Sequence, residues 1–302
     1  MVKVVLVNSS QPDWLKRYDR MGNAAAGTVI GAYSTSFSLS SRLLPRRERQ
    51  DIRNLYAVVR IADEIVDGTA QQAGEANVQA ILDLYEQQVL AAPHSRFHTD
   101  PVIHAYAETA RRCDFAPEHI TAFFASMRRD IHQSTYSDDQ FNEYVYGSAE
   151  VIGLLCLSVF LAGRDIAPDD RREMESGARR LGAAFQKINF LRDLGEDGGA
   201  LGRAYFPGTS PAHISDADKD ALIADIRVDI AAARQAIGLL PFQVRAAVLA
   251  ANELFTALTD LIESTPAHQL SSSRIRVPAH RKVALTLRAI RQAARLSIEQ
   301  TP

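Results

Sequence analysis

Apolar residues recur every three or four positions along this chain, and nowhere do they alternate long enough to read as a strand. The spacing predicts a helix from Met21 to Leu43-Leu44-Pro45, where proline turns the residue before it away from α geometry. A second runs from Arg46 to about Asp67 on the apolar face Leu55, Val58, Val59, Ala62 and Val66, with Gly68 as its stop. Amphipathic helices follow near 73–91, 99–113 and 117–132, then a long one over 138–162 and another over 167–197, closed by Gly198-Gly199. Residues 216–240, 242–264 and 280–299 give three more. Residues 1–20, with Pro12, Trp14 and paired basic side chains, read as an irregular N-terminal arm. No repeat, heptad run or Pro/Gly/Ser-rich linker divides the remainder. The expectation is therefore an all-α fold with a single domain over 21–302.

Composition agrees and removes several function classes. With 302 residues, 46% hydrophobic and 23% charged, the chain can bury a large core. A net charge of −2 gives no pull toward nucleic acid. The longest apolar run, Val151 to Gly163, is too short for a bilayer, which takes roughly 20 residues, and suits a buried helix. Cys113 and Cys156 are far apart, without metal-type spacing, and read as buried thiols in a reducing compartment. No secretory signal is read, so a cytoplasmic location is expected, with any membrane contact peripheral. No Gly-x-Gly-x-x-Gly fingerprint is present, and NADPH is not expected as a cofactor.

Two stretches depart from ordinary patterning. Gln186, Asn189, Asp193 and Asp197 fall within roughly an 80° arc of one helix, among apolar neighbours. Stacked carboxylates repel, so such a column faces solvent, a basic partner or metal ions. Alone, it is as easily a solvated face as a site. About 130 residues upstream, Tyr56, Arg60, Asp63 and Asp67 also share one face. Their aspartates sit near a helix C-terminus, where the helix dipole disfavours negative charge. Local inconsistency of this kind is expected at functional sites.

If the two D-x-x-x-D helices face each other, their carboxylates need counter-charge, and hard divalent cations with oxygen ligands supply it. Mg²⁺ binds through one or two carboxylates plus substrate phosphates, so the pair points to a diphosphate. Arg60, Arg192, Arg203, Arg274 and Lys282 are candidates for its remaining oxygens. Loss of diphosphate leaves a carbocation, which the ring faces of Phe37, Tyr56, Tyr144, Tyr146 and Phe190 could stabilise.

Five motifs then occur in order: Tyr33-Ser34-Thr35-Ser36-Phe37, Arg60-x-x-Asp63-Glu64-x-x-Asp67, Tyr144-x-Tyr146-Gly147-Ser148-Ala149, Gln186-x-x-Asn189-x-x-Arg192-Asp193-x-x-Glu196-Asp197, and Gly202-Arg203-x-Tyr205-x-Pro207. Together they resemble the squalene/phytoene synthase family over about 30–290. The resemblance implies an isoprenoid-synthase helical bundle around a central cavity, and head-to-head joining of two prenyl diphosphates with Mg²⁺, or Mn²⁺ in its place. It implies that Asp63, Asp67, Asn189, Asp193 and Asp197 hold the metal–diphosphate assembly. Arg60, Gln186, Arg192, Arg203, Arg274 and Lys282 would line the diphosphate sites. Tyr144 would stand at the reacting centre, with Tyr33, Ser36, Phe37, Ser41, Tyr56 and Tyr205 on the substrate. Three positions depart from the family pattern: Glu64 for an aspartate, Glu150 for a glycine, and Phe255 for a tyrosine expected to touch diphosphate.

Ser41 lies one helical turn beyond Phe37, and a small residue there leaves a deep tunnel. That favours two geranylgeranyl diphosphates and phytoene, in carotenoid biosynthesis. The alternatives are a dehydrosqualene or squalene synthase using farnesyl diphosphate, then a terpene cyclase or a non-catalytic helical protein. From residue 271 onward there are six arginines, one lysine and a single acid, Glu299. The simpler reading of that helix is a solvated face with Arg274 and Lys282 reaching inward; the other is a peripheral membrane contact. Oligomeric state is not legible.

Overall fold

In the computed structural model, the described residues are 13–194, 203–208, 214–270 and 274–298. The side chains of Thr35, Ser36 and residues 296–298 lie outside the description, as do Asp197, Glu196, Gly198-Gly199 and Ser271-Ser273.

The first helix starts earlier than the sequence suggested. α1 spans Trp14–Tyr33 because Asp13 caps it, its carboxylate accepting the Lys16 N–H at 3.0 Å. Residues 14–20 are thus helical rather than part of an arm. Nor does one helix continue to Pro45. Ser34 adopts an extended backbone (φ −136°, ψ 109°), and its hydroxyl accepts the Phe37 N–H at 3.2 Å to open α2, Thr35–Ser41. The Ser34 hydroxyl is thus a cap inside the segment expected to be one continuous helix.

α3, Arg46–Val66, follows its apolar spacing closely, burying Leu55, Val58, Ala62 and Val66. Asp67 is its C-cap, and Gly68 (φ +103°) turns the chain in the left-handed region that glycine adopts without cost. Beyond α4, Thr69–Gln72, come α5, Val78–Ala91; α6, Pro101–Cys113; and α7, Pro117–His132.

The long helix Asp138–Leu161 is continuous but not uniform. α8, Asp138–Val145, passes through a π turn, Tyr146–Glu150, into α9, Val151–Leu161. Two glycines let neighbours press on that turn. A Cβ on Gly147 would lie 2.4 Å from the Ala122 carbonyl oxygen of α7. One on Gly182, in α10 (Pro168–Arg192), would lie 2.4 Å from that of Ala149. The combined helix is long and apolar enough to cross a bilayer, more so than its 13-residue run suggested. Yet 56% of its most apolar window is buried in the protein, and Val151, Leu155 and Val159 are core residues.

α10 ends at Arg192 with Asp193 as its C-cap, five residues short of the expected end at 197. α11, Asp216–Ile237; α12, Phe242–Glu263; α13, Ala267–Leu270; and α14, Ala279–Ile298 complete the chain. Among the described residues the only bridge is an isolated one between Thr135 and Ala204, so the fold is all-α as expected. One core joins α1, α3, α5, α6, α7 and α9. A second joins α8, α10, α11 and α12 around Phe190, Tyr144 and Tyr205. The candidate site lies where Arg203 joins the two.

Candidate active site

α3 carries the first acidic column as one face. Arg60 pairs with Glu64, stands 3.9 Å from Asp63, and lays its guanidinium 4.3 Å over the Tyr33 ring. Glu64 also accepts from the Thr69 hydroxyl. Asp63 keeps 30% of its side-chain surface accessible, yet burial foremost, and then the Asp67 charge, hold its carboxyl well above the usual carboxylate range. Desolvation and the neighbouring carboxylate both disfavour the charged form of Asp63. Cys156 on α9, packed beside α3, behaves alike: it is only partly buried by surface, while burial pushes its thiol up to about 12.

The loop after α10 closes this face with one arginine. Arg203, 6% exposed, donates to Asp67 at 2.8 Å, to the Tyr205 hydroxyl at 3.2 Å, and to the backbone oxygens of Val66 and Asp130 at 3.0 and 2.9 Å. Burial opposes its charge, but Asp130, Tyr205 and Asp67 outweigh that and raise its pKa, so it stays a fixed cation.

Beneath it lies a residue that motif reasoning passed over. Asp130 is buried in α7 and accepts from the Tyr144 hydroxyl at 2.7 Å and the Tyr205 hydroxyl at 3.3 Å. Burial pushes its carboxyl up to about 7, against the opposing pull of Arg203 and Tyr144. A signal was present: Ile120, Phe123, Met127 and Asp130 follow one apolar stripe, and all four are buried, which places an acid at a core position. Tyr136 was also missed; its ring stacks on Tyr205 and meets Tyr144 edge-on.

Tyr144 is 2% exposed, and burial, followed by the Asp130 charge, drives its phenol well above its usual range. It is a neutral donor locked onto Asp130, so what it offers to a reacting centre is a ring. That ring belongs to an aromatic stack in which Phe190 lies 4.0 Å from Tyr205 at an interplanar angle of 13°.

Phe190 places the second column. Asn189, beside it on α10, has a buried Oδ1 without a hydrogen-bond partner among the described residues. Gln186 is half-buried one turn earlier. Asp193, expected inside the helix one turn before its end, is the C-cap and is held by two arginines: Arg192 beside it, and Arg274 with Nε at 2.9 Å. Arg192 lies close enough to Lys282 that, after burial and Arg276, it helps lower the lysine's pKa. The structure therefore joins Asp67, Arg203, Tyr205 and Phe190 in one chain of contacts from α3 to α10. Asp193, Arg192, Arg274 and Lys282 form a second group at the end of α10. Asp197 lies outside the described residues.

The remaining substrate candidates divide. Phe37 joins Tyr56, Phe185 and Phe255 in an aromatic cluster, with Phe185 and Phe255 stacked at 3.7 Å. Phe255 is thus wall, not diphosphate contact. Ser41 is buried, its hydroxyl turned onto the Ser38 oxygen of its own helix at 3.1 Å, so it does not present an open tunnel face. The Ser36 side chain is outside the description. Glu150 leaves the interior, pairing with Arg179 of α10 at 2.7 Å.

The donor set fits a hard divalent cation. Asp63, Asp67 and Asp193 offer carboxylate oxygens, and the unpartnered Asn189 Oδ1 is a costly buried acceptor that a cation would satisfy. Among the described residues no three Asp, Glu, His or Cys side chains converge enough to hold an ion unaided. Mg²⁺ sharing its coordination with phosphate oxygens needs no such cage.

Comparisons with known proteins show the family and the fold. The chain is 31% identical over 186 residues to a phytoene synthase of Arthrospira platensis, covering 59% of each. It is 30% identical over 200 residues to a 15-cis-phytoene synthase of Pantoea ananas, covering 64% of this chain and 61% of that one. The matched stretch thus spans about three fifths of these relatives' length. The fold resembles the crystal structure of a dehydrosqualene synthase at TM-score 0.74 and 22% identity, over 92% of this chain and 98% of that one. It also resembles a squalene synthase from Alicyclobacillus acidocaldarius at TM-score 0.69 and 21% identity, over 88% and 98%. A sequence profile described as squalene/phytoene synthase matches residues 30–281, and the chain belongs to that family.

Proposed function

We propose that this protein is a Mg²⁺-dependent prenyltransferase joining two geranylgeranyl diphosphates head to head, through a cyclopropylcarbinyl diphosphate, to 15-cis-phytoene. The observation that carries the reaction class is the contact chain Asp67–Arg203–Tyr205–Phe190, which links the acidic end of α3 to the helix carrying Gln186 and Asn189. Bound Mg²⁺ would neutralise the departing diphosphate. Asp63, Asp67, Asn189 and Asp193 would hold it, with Asp197 from the same motif. Arg60, Arg192, Arg274 and Lys282 would take the remaining phosphate oxygens, and Gln186 would orient them. Arg203 holds Asp67 in place. The packed rings of Tyr144, Tyr205 and Phe190 would supply the aromatic surface that stabilises the cation left behind and keeps water from it. Diphosphate leaves in each of two ionisations, and a proton is lost in forming the cyclopropane and again at the end, so no NADPH is consumed.

The relatives at 30–31% identity that are named phytoene synthases support the C20 substrate. One observation favours the C15 reading instead. Phe37, Phe185 and Phe255 pack into one aromatic cluster, which would shorten a tunnel running past Phe37. Incubating the purified protein with Mg²⁺ and either farnesyl or geranylgeranyl diphosphate, with and without NADPH, separates them. Phytoene from the C20 substrate without NADPH is expected. Turnover of farnesyl diphosphate alone would overturn the substrate, and no Mg²⁺-dependent turnover of either would overturn the reaction class.

A further inference from the structure

α14 divides its circumference into three sectors. Thr286, Ala289 and Ala293 are buried, and they seat the helix along α12. At 100° per residue, Val283, Leu287, Ile290 and Ala294 lie within roughly a 60° arc beside that buried face. They point outward: Val283 is 53% exposed, Leu287 51% and Ile290 41%. The next sector, roughly 80–140° round from Val283, holds Arg291, Arg295 and Arg288. No acidic residue occurs from Arg274 to Ile298. Arg288 reaches Glu253 only at 3.8 Å, and Arg291 and Arg295 have no acidic partner among the described residues.

A solvated face does not carry three large aliphatic side chains in one stripe, since each leaves apolar surface in water. An apolar stripe flanked by arginines instead matches the boundary of an anionic bilayer. Aliphatic side chains there enter the acyl region, and the cations meet lipid phosphates. The buried sector, Thr286, Ala289 and Ala293, stays on the protein, so the helix lies flat on the membrane while docked to α12. We propose that the outer face of α14 is a docking surface for an anionic lipid bilayer, with Val283, Leu287 and Ile290 inserted and Arg291 and Arg295 on the headgroups. The inference does not depend on the reaction assigned above, because binding is read without substrate.

The test is flotation of the full-length protein with vesicles of phosphatidylcholine alone or with 30% phosphatidylglycerol. Binding to the anionic vesicles is expected, falling by more than about tenfold in Leu287→Glu/Ile290→Glu. Arg291→Gln/Arg295→Gln should lose roughly fivefold per arginine, and high salt should weaken the wild type. Circular dichroism melts confirm that each variant is folded; all changed side chains are outward, and the arginine variant leaves the apolar stripe intact. Equal flotation on neutral and anionic vesicles, or unchanged binding in both folded variants, would overturn the proposal. So would a wild-type dimer by light scattering that ignores vesicles and dissociates in the apolar variant, since the stripe would then bind a second copy.

Discussion

Asp130 shows how much one buried side chain organises. It draws the hydroxyls of Tyr144 and Tyr205 toward itself and sits under the Arg203 guanidinium, which reaches Asp67. Its carboxyl titrates near 7 in the folded chain, whereas an unfolded aspartate titrates near ~3.9. Between those values the folded state binds the extra proton. Stability therefore falls as pH rises through the window, by at most about 1.4 kcal/mol per pH unit, and the slope ends above the folded value. Asp130→Asn removes this term, so thermal melts from pH 5 to 8 should show the wild type losing stability relative to the variant up to about pH 7. Parallel curves would contradict the assignment. At this scale the placing of Asp63 and Asp67 at the end of one face of α3 was legible from spacing, because i,i+4 positions share a helix face whatever packs on it. The role of Asp130 was not, because its partners come from elements up to about 75 residues away.

Between elements, small residues set how closely helices approach. α10 crosses the π turn at Gly182, where a methyl group would meet the Ala149 oxygen at 2.4 Å and the Glu150 Cα at 3.2 Å. Gly182→Ala should destabilise by about 1–3 kcal/mol in urea unfolding, because the clash is with backbone that cannot rotate away. Gly31→Ala is the contrast. In α1 it meets nothing within 4 Å, and it should stabilise by about 0.5–1 kcal/mol through helix propensity. Equal effects at the two positions would show that the approach is not tight. Helix existence and most starts followed from apolar spacing and caps. The π turn did not, since its sequence continues the same helical pattern and the close approach of α7 and α10 at Gly147 and Gly182 is visible only in the packing. The end of α10 at Arg192 was likewise obscured by acids that continue the helical spacing.

At the scale of the molecule, the two acidic columns belong to separate cores and come together through Arg203 and the aromatic stack. A ligand bridging them should stabilise the whole fold. Inorganic diphosphate with Mg²⁺ at about 100-fold over its dissociation constant should add about 2.7 kcal/mol, read as a raised Tm. Diphosphate without Mg²⁺ should add much less, and Asp193→Ala should remove the Mg²⁺-dependent part along with turnover. A shift that is the same with and without Mg²⁺ would separate the acidic columns from metal binding.

The sequence by itself determined the all-α class, most of the helices, the Arg60–Asp63–Asp67 face of α3 and the family motifs, because periodicity and side-chain chemistry are local properties. The tertiary structure decided which groups meet. It turned Tyr144 onto Asp130, sent Phe255 into an aromatic wall and Glu150 out to Arg179, and left one face of the basic last helix apolar and uncovered. Those outcomes depend on which helices pack side by side, and burial, not spacing, sets the charge state of Asp130 and the partners of Arg203.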